Sequence, residues 1–236
     1  MGVVKNAVAG MGFDADIPMV TFPIGMFLVG SDIAPIERRV EEFIAGLTRW
    51  RPRIARRGLV RPAPLDVQGR DERDAAAEFN RMFLRKRWGD GLPLVPPTEE
   101  TVAWILQGSD RPAQDVIGPF MPRGGIVTVE TAAVALAMAG GRPEYLPVLL
   151  AAVEAILDPA MQHDKWQATS GSTYPVVIVN GAAGRRMRLN SGFGLVGPDP
   201  AHPAGASIGR GLRLLQQNAG GALPGSGTMA LFGGMR

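Results

Sequence analysis

The stretch "TVETAAVALAMAGGRPEYLPVLLAAVEAIL", residues 128–157, leaves this chain few choices. Ala132, Val134, Ala135, Leu136 and Ala137 are apolar on every side of the helix they would form, so that helix has to be buried all round. Gly140-Gly141 ends it, because glycine takes the positive φ that a helix C-terminus requires. A second helix is expected from Glu144 to Leu157, with Pro147 tolerated near its first turn. Thr128 opens the first helix and Glu130 follows within its first turn. Capping and the helix dipole account for an acid there. So does a carboxylate aimed into a site, where apolar neighbours would require a partner or a shifted pKa.

The remaining segments have to supply what surrounds this pair. At 236 residues and 46% hydrophobic content the chain can bury a real core. With 31 glycines and 20 prolines it is loop-rich without being low in complexity. No apolar run approaches the roughly 18 to 20 residues that cross a bilayer. "IPMVTFPIGMFLV" is broken by Pro18, Pro23 and Gly25, and no basic segment precedes it as in a signal peptide. No membrane association is therefore expected. The chain has no cysteine, which excludes disulfides, thiolate nucleophiles and Cys metal sites from it and fits a reducing cytoplasm.

Three regions are expected. Residues 1–50 form a short strand-helix segment: "DIPMVTFPIG" suits an edge strand. In "SDIAPIERRVEEFIAGL", Ile36, Val40, Phe43, Ile44 and Leu47 recur at helical spacing. Residues 51–88 are an Arg-rich linker followed by the helix "ERDAAAEFNRMFLRKRW", stopping at Gly89. Residues 89–236 are the main α/β domain, with helices packed on a small mixed sheet. Within it Thr98 caps "EETVAWIL", "DVIGPFMPRGGIVTVE" is strand and loop, and "YPVVIVNG" (174–181) is a buried strand. "NSGFGLVGPDPAHPAGAS" is a glycine-rich loop, and "IGRGLRLLQQNAGG" is the helix that follows it.

Charge adds one candidate surface. "RWRPRIARRGLVR" (49–61) holds six arginines and "RMFLRKR" (81–87) four basic residues, although the net charge is only +3. A nucleic-acid face would carry such runs, but the interleaved aromatic series that usually accompanies one is lacking, so nucleic acid is not the expected partner. A solvated linker or a subunit contact explains the runs as well.

"DGLPLVPPTEE", "TVETAAVALAMAGGRPEYLPVLLAAVEAI", "QATSG", "VIVNG" and "GASIGRGLRLLQQNAGG" together resemble the C-terminal domain found in and beside the UGSC-motif family. That family is named for a Gly-Ser-Cys signature containing cysteine or selenocysteine. The resemblance covers residues 89 to about 221, and residues 3–48 resemble more weakly the end of the family's other domain. The signature does not occur here, and the position after "AMAG", often cysteine in the family, is Gly141. The resemblance implies an α/β fold and small-molecule chemistry. Any thiol or selenol step cannot come from this chain.

The candidate site follows from the residues. Glu130 and Asp90 are the expected acid and base, although Asp90 before Gly91 also suits a turn that bonds its own backbone. Arg123 in "MPRGG" is the nearest expected partner for Glu130, with Thr128 at the helix start. "GASIGR" is read as a helix start whose amides, with Ser207 and Arg210, would hold a carboxylate or phosphate. Asn180 closes the expected buried strand, where α/β sheets place ligands, although Asn-Gly also suits a plain turn. His163 and His202 lie far apart in polar loops, which argues against zinc. No metal ligand set and no cofactor are predicted; a divalent cation on Asp90 and Glu130 is the one metal arrangement the composition allows. The expected function is a subunit of a small-molecule enzyme, homo- or hetero-oligomeric, with lyase- or hydrolase-like acid/base chemistry on an anionic polar substrate. The alternative is a non-catalytic or half-site subunit whose partner supplies the reactive Cys or Sec domain.

Overall fold

The apolar pair at 128–157 organises the molecule. A computed structural model describes residues 4, 5, 8, 13, 17–22, 24–51, 63–194 and 198–230. It shows helices packed on a small sheet. Contacts divide the chain into two compact units, Gly12–Gly58 and the remainder.

In the smaller unit, helix α1 (Ala34–Glu37) and helix α2 (Val40–Thr48) replace the single helix expected. The break falls at Arg38 and Arg39, where Arg39 turns to hold Glu42 through Nε and Nη2, both at 2.8 Å. Phe43 stacks on Phe22 at 5.9 Å, yet no residue of α2 is buried. The strand expected at "DIPMVTFPIG" does not form among the described residues: 17–22 lack a ladder, and Ile24–Phe27 is a 3-10 turn. Pro18 and Pro23 remove two of the donors that a ladder needs. Most of the arginine-rich run, residues 52–62, lies outside the described residues.

The larger unit opens with α3 (Glu72–Lys86), capped by Asp71, whose side chain accepts from Asp74 N at 2.8 Å. Asn80 on α3 then grips the following segment from both sides. Its Oδ1 accepts from Leu94 N at 2.7 Å and its Nδ2 donates to Leu94 O at 3.0 Å. Helix α4 (Glu99–Leu106) begins where Thr98 caps it, as the sequence predicts. Strands β1 (Val116–Phe120) and β2 (Gly125–Thr128) form an antiparallel hairpin with Phe120 opposite Gly125.

Strand β2 runs directly into α5 (Val129–Met138), and α6 (Leu146–Leu157) follows after the glycine stop. Val129, Ala132, Ala133, Leu136 and Val153 are buried with Leu146 and Leu149, forming the centre of the core. Full burial of a side chain such as Leu136 stabilises by about 1.5–3 kcal/mol. The chain continues through α7 (His163–Ala168), α8 (Ala182–Arg186) and α9 (Pro203–Asn218). α9 is the main partner of α5. The two helices pack closely at Gly211, where a Cβ would sit in ordinary van der Waals contact with Leu136 Cα and Leu149 Cδ2 at 3.5 Å.

Two expectations fail in this unit. "YPVVIVNG" is neither buried nor laddered: residues 174–180 belong to no helix or strand, and Tyr174, Val176 and Ile178 face solvent. β-branched composition favours a strand but cannot supply the second strand it must pair with. The "GASIGR" stretch is not a helix start either. α9 begins at Pro203, whose fixed φ suits the first turn, so Ser207 and Arg210 sit inside the helix.

Candidate functional site

The expected site residues do not converge. Thr128 is the N-cap of α5: its hydroxyl accepts from Thr131 N at 3.2 Å, and Thr131 Oγ1 accepts from Thr128 N at 2.8 Å. Carbonyl groups take the next two amides, with Val129 N donating to Asp115 O at 3.1 Å and Glu130 N to Ala113 O at 2.8 Å. Donors that an anion would use are thus already satisfied. Glu130 is half-buried, not enclosed by the apolar helix, and its carboxylate accepts from Gln114 Nε2 at 2.9 Å. The open side of α5, where Glu130 and Val134 lie a turn apart, relieves the desolvation that the sequence suggested.

Asp90 and Arg210, 120 residues apart, meet as a closed clamp. Arg210 Nε donates to Asp90 Oδ2 at 2.7 Å and Nη2 to Oδ1 at 3.0 Å, with side chains only 22% and 14% exposed. Nη2 also donates to Pro93 O at 2.9 Å. Burial raises the Asp90 carboxyl's affinity for its proton, but the Arg210 hydrogen bonds and the Leu92 N–H outweigh it. The pKa ends below the ordinary carboxylate value. A carboxylate held ionised and doubly bonded fixes the 90–93 turn; it is a poor proton donor. Ser207 is buried, its Oγ donating to Gly140 O at 3.5 Å, and Asn180 ends the exposed segment 174–180, not a strand in a sheet.

Arg123 is the predicted residue that lines a cleft. With it come Lys86, Arg87, Trp88, Gln217, Asn218, Gly221, Leu223 and Ser226, around a volume of about 320 Å³. That lies near the lower end of ligand-pocket sizes. The cleft forms where α3 and α9 both end. Arg87 takes the left-handed conformation that stops α3, at φ 58°, and turns the chain to present Trp88. Trp88 meets Phe83 edge-on at 5.4 Å, with Lys86 Nζ 5.1 Å from its ring centre. Gln217 Nε2 donates to Gly89 O at 2.5 Å, pinning the end of α9 to this corner. Arg123 N donates to Gly220 O at 2.8 Å, which brings in the hairpin loop. Just behind, Arg213 Nη1 donates to Ala222 O at 3.1 Å; burial lowers its pKa and the Asp90 charge partly restores it.

Three cations and one aromatic wall therefore line the cleft, and no carboxylate is among its lining residues. Such a cleft attracts anions, and the low-dielectric wall strengthens each contact. Sequence reading found the Lys86–Arg87 run as charge but not as a site, because the partners at 123 and 217–226 are far along the chain.

His163 corrects another expectation. It is buried, not in an open loop, and it packs against Phe120 at 5.1 Å and Trp166 at 5.2 Å. Burial lowers its pKa despite Asp164 and Gln167. His202 pairs with Asp199. Among the described residues no group of three or more His, Cys, Asp or Glu is placed to hold a metal ion, and no helix is long and apolar enough to cross a membrane. At Gly141 a Cβ would lie 2.3 Å from Leu136 Cδ1 and 2.9 Å from Leu136 O, so a larger residue there forces Leu136 to shift. No protein-family model, curated protein or solved structure matches this chain.

Proposed function

We infer that this chain is the anion-holding subunit of a small-molecule enzyme. The observation that carries the reading is the convergence of Lys86, Arg87 and Arg123 with Trp88 on one cleft free of lining carboxylates. These groups are hydrogen-bond donors that bind and polarise an anion. The substrate is a small carboxylate or phosphate with a planar portion that stacks on Trp88. Acid/base chemistry of the lyase or hydrolase kind then needs a carboxylate or thiol from outside the lining set. That favours the half-site arrangement, in which a partner chain completes the site, over a centre built on Glu130 and Asp90.

Inorganic phosphate and benzoate, titrated into the purified chain by calorimetry, test the cleft. Both should bind, benzoate with quenching of tryptophan fluorescence, and both should weaken with added salt. Arg123→Ala should reduce affinity about tenfold or more, the loss of one charge-assisted contact. Equal affinity in that variant, or no binding of either anion, would overturn the reading. Glu130→Gln separates the two sources of the acid. Activity that survives this change in the chain with its partner assigns the reacting group to the partner.

A further inference from the structure

The segment 174–180, "YPVVIVN", has the composition of a strand but belongs to no helix and pairs with no neighbour among the described residues. Among the described residues none of its backbone groups is hydrogen-bonded, and its exposure alternates as a strand's does. Pro175 and Val179 are half-buried and Val177 is 37% exposed, whereas Tyr174, Val176 and Ile178 are 57%, 62% and 79% exposed. One face thus rests on the protein's own unit, and the edge stands open. An exposed β-branched edge of this kind is a template for pairing.

We propose that this edge is filled by the same segment of a second copy, antiparallel about a two-fold axis through Val177. Three observations select a second copy and fix the register. First, residues 166–181 carry no charged side chain, so self-pairing meets no like-charge repulsion. Second, the flanks are complementary. Asp158, Asp164 and Lys165 precede the segment with a net charge of −1, and Arg185, Arg186 and Arg188 follow it with +3, so an antiparallel arrangement sets each copy's basic exit toward the other's weakly acidic approach. Third, Pro175 has no N–H. In an antiparallel pair only alternate residues exchange hydrogen bonds, and two-fold symmetry requires one residue to face itself. Pro175 must occupy a non-bonded position, so the odd-numbered residues are the non-bonded ones and the even-numbered residues carry the hydrogen bonds. Val177 is the choice that pairs all seven residues. Val176 then faces Ile178 of the second copy and Tyr174 faces Asn180, with about eight hydrogen bonds between the chains.

The chain has no cysteine, so single introduced cysteines read the register directly. At the centre the two Cα atoms lie about 4.5 Å apart, within disulfide reach. At position 176 or 178 alone the identical residues are roughly 8 Å apart and face away from the 177 side. Val177→Cys should therefore crosslink to itself under mild oxidation. Val176→Cys and Ile178→Cys should each fail alone and crosslink when mixed. Native mass spectrometry of the unmodified chain should give twice the 25.1 kDa chain mass. Ile178→Pro, which loses a bonded N–H, should give the single mass with an unchanged far-UV spectrum, because the segment has no backbone hydrogen bonds to lose within one chain. A wild-type monomer overturns the proposal, as does equal crosslinking at 176, 177 and 178, the mark of parallel or random encounter. A dimer that survives Ile178→Pro overturns it too, and places the contact elsewhere, for instance on the exposed face of α2. None of these readouts depends on the basic cleft.

Discussion

Replacing Arg210 with methionine should expose how much the Asp90 clamp contributes. Methionine keeps most of the aliphatic stem and removes the guanidinium. Asp90 would lose donors at 2.7 and 3.0 Å while its side chain stays 14% exposed, and the carbonyl of Pro93 would lose its 2.9 Å partner. Breaking a buried pair from one side costs about 3–5 kcal/mol; water reaches Arg210, at 22% exposure, so the lower end, about 3 kcal/mol, applies. The pH dependence carries the sharper test. In the wild type the Asp90 pKa is depressed, so its stabilisation is present above the unfolded value near ~3.9 and is lost as pH falls through the folded value. In the variant the Leu92 N–H remains but the guanidinium is gone, so burial is far less opposed and the folded pKa rises; the unpaired charge costs most at neutral pH and is relieved by protonation. The stability difference between the two proteins should be largest near pH 7 and shrink steadily as pH falls toward about 4. Urea unfolding followed by circular dichroism from pH 7 to pH 4, with Asp90→Asn and the double variant closing a cycle, measures this. A difference under about 1 kcal/mol at pH 7, or one that does not change with pH, would refute the buried-clamp argument.

Two further changes probe the elements around it. Thr128→Ala should destabilise by about 1 kcal/mol through loss of the α5 cap, and Thr128→Ser should restore it; chemical denaturation reads both. Gly141→Ala should cost about 1–3 kcal/mol, because the new Cβ meets Leu136 Cδ1 at 2.3 Å, and the added substitution Leu136→Ala should reduce that penalty in a thermal melt.

The exposed edge at 174–180 and the uncovered face of α2 both fit the proposed assembly. α2 has the apolar spacing of a core helix, with Val40, Ile44 and Leu47 on one stripe, yet its unit buries none of them. The basic cleft, by contrast, is complete within one chain as far as binding goes. Its walls are hydrogen-bonded to one another through Gln217 and Arg123, so its shape is held within one chain.

Sequence alone determined what depends on neighbours three or four residues away. The Thr98 and Thr128 caps, the glycine stop at 140–141, the helix ending at Leu157 and the burial of the apolar helix pair all follow from local spacing and turn chemistry, although that second helix begins at Leu146 after a 3-10 turn and not at Glu144. Glu130 marks where that reasoning ends. An apolar helix predicts an apolar surround, but only the packed structure shows which side of α5 is left open. Asp90 met Arg210 across 120 residues, and Arg123 met Lys86, Trp88 and Gln217, because the ends of α3 and α9 come together. Helix hydrogen bonds close within one segment, so a short window of sequence contains their cause. Ion pairs, clefts and strand partners are closed by residues far along the chain, or on another chain, and their position is set only once the core has packed.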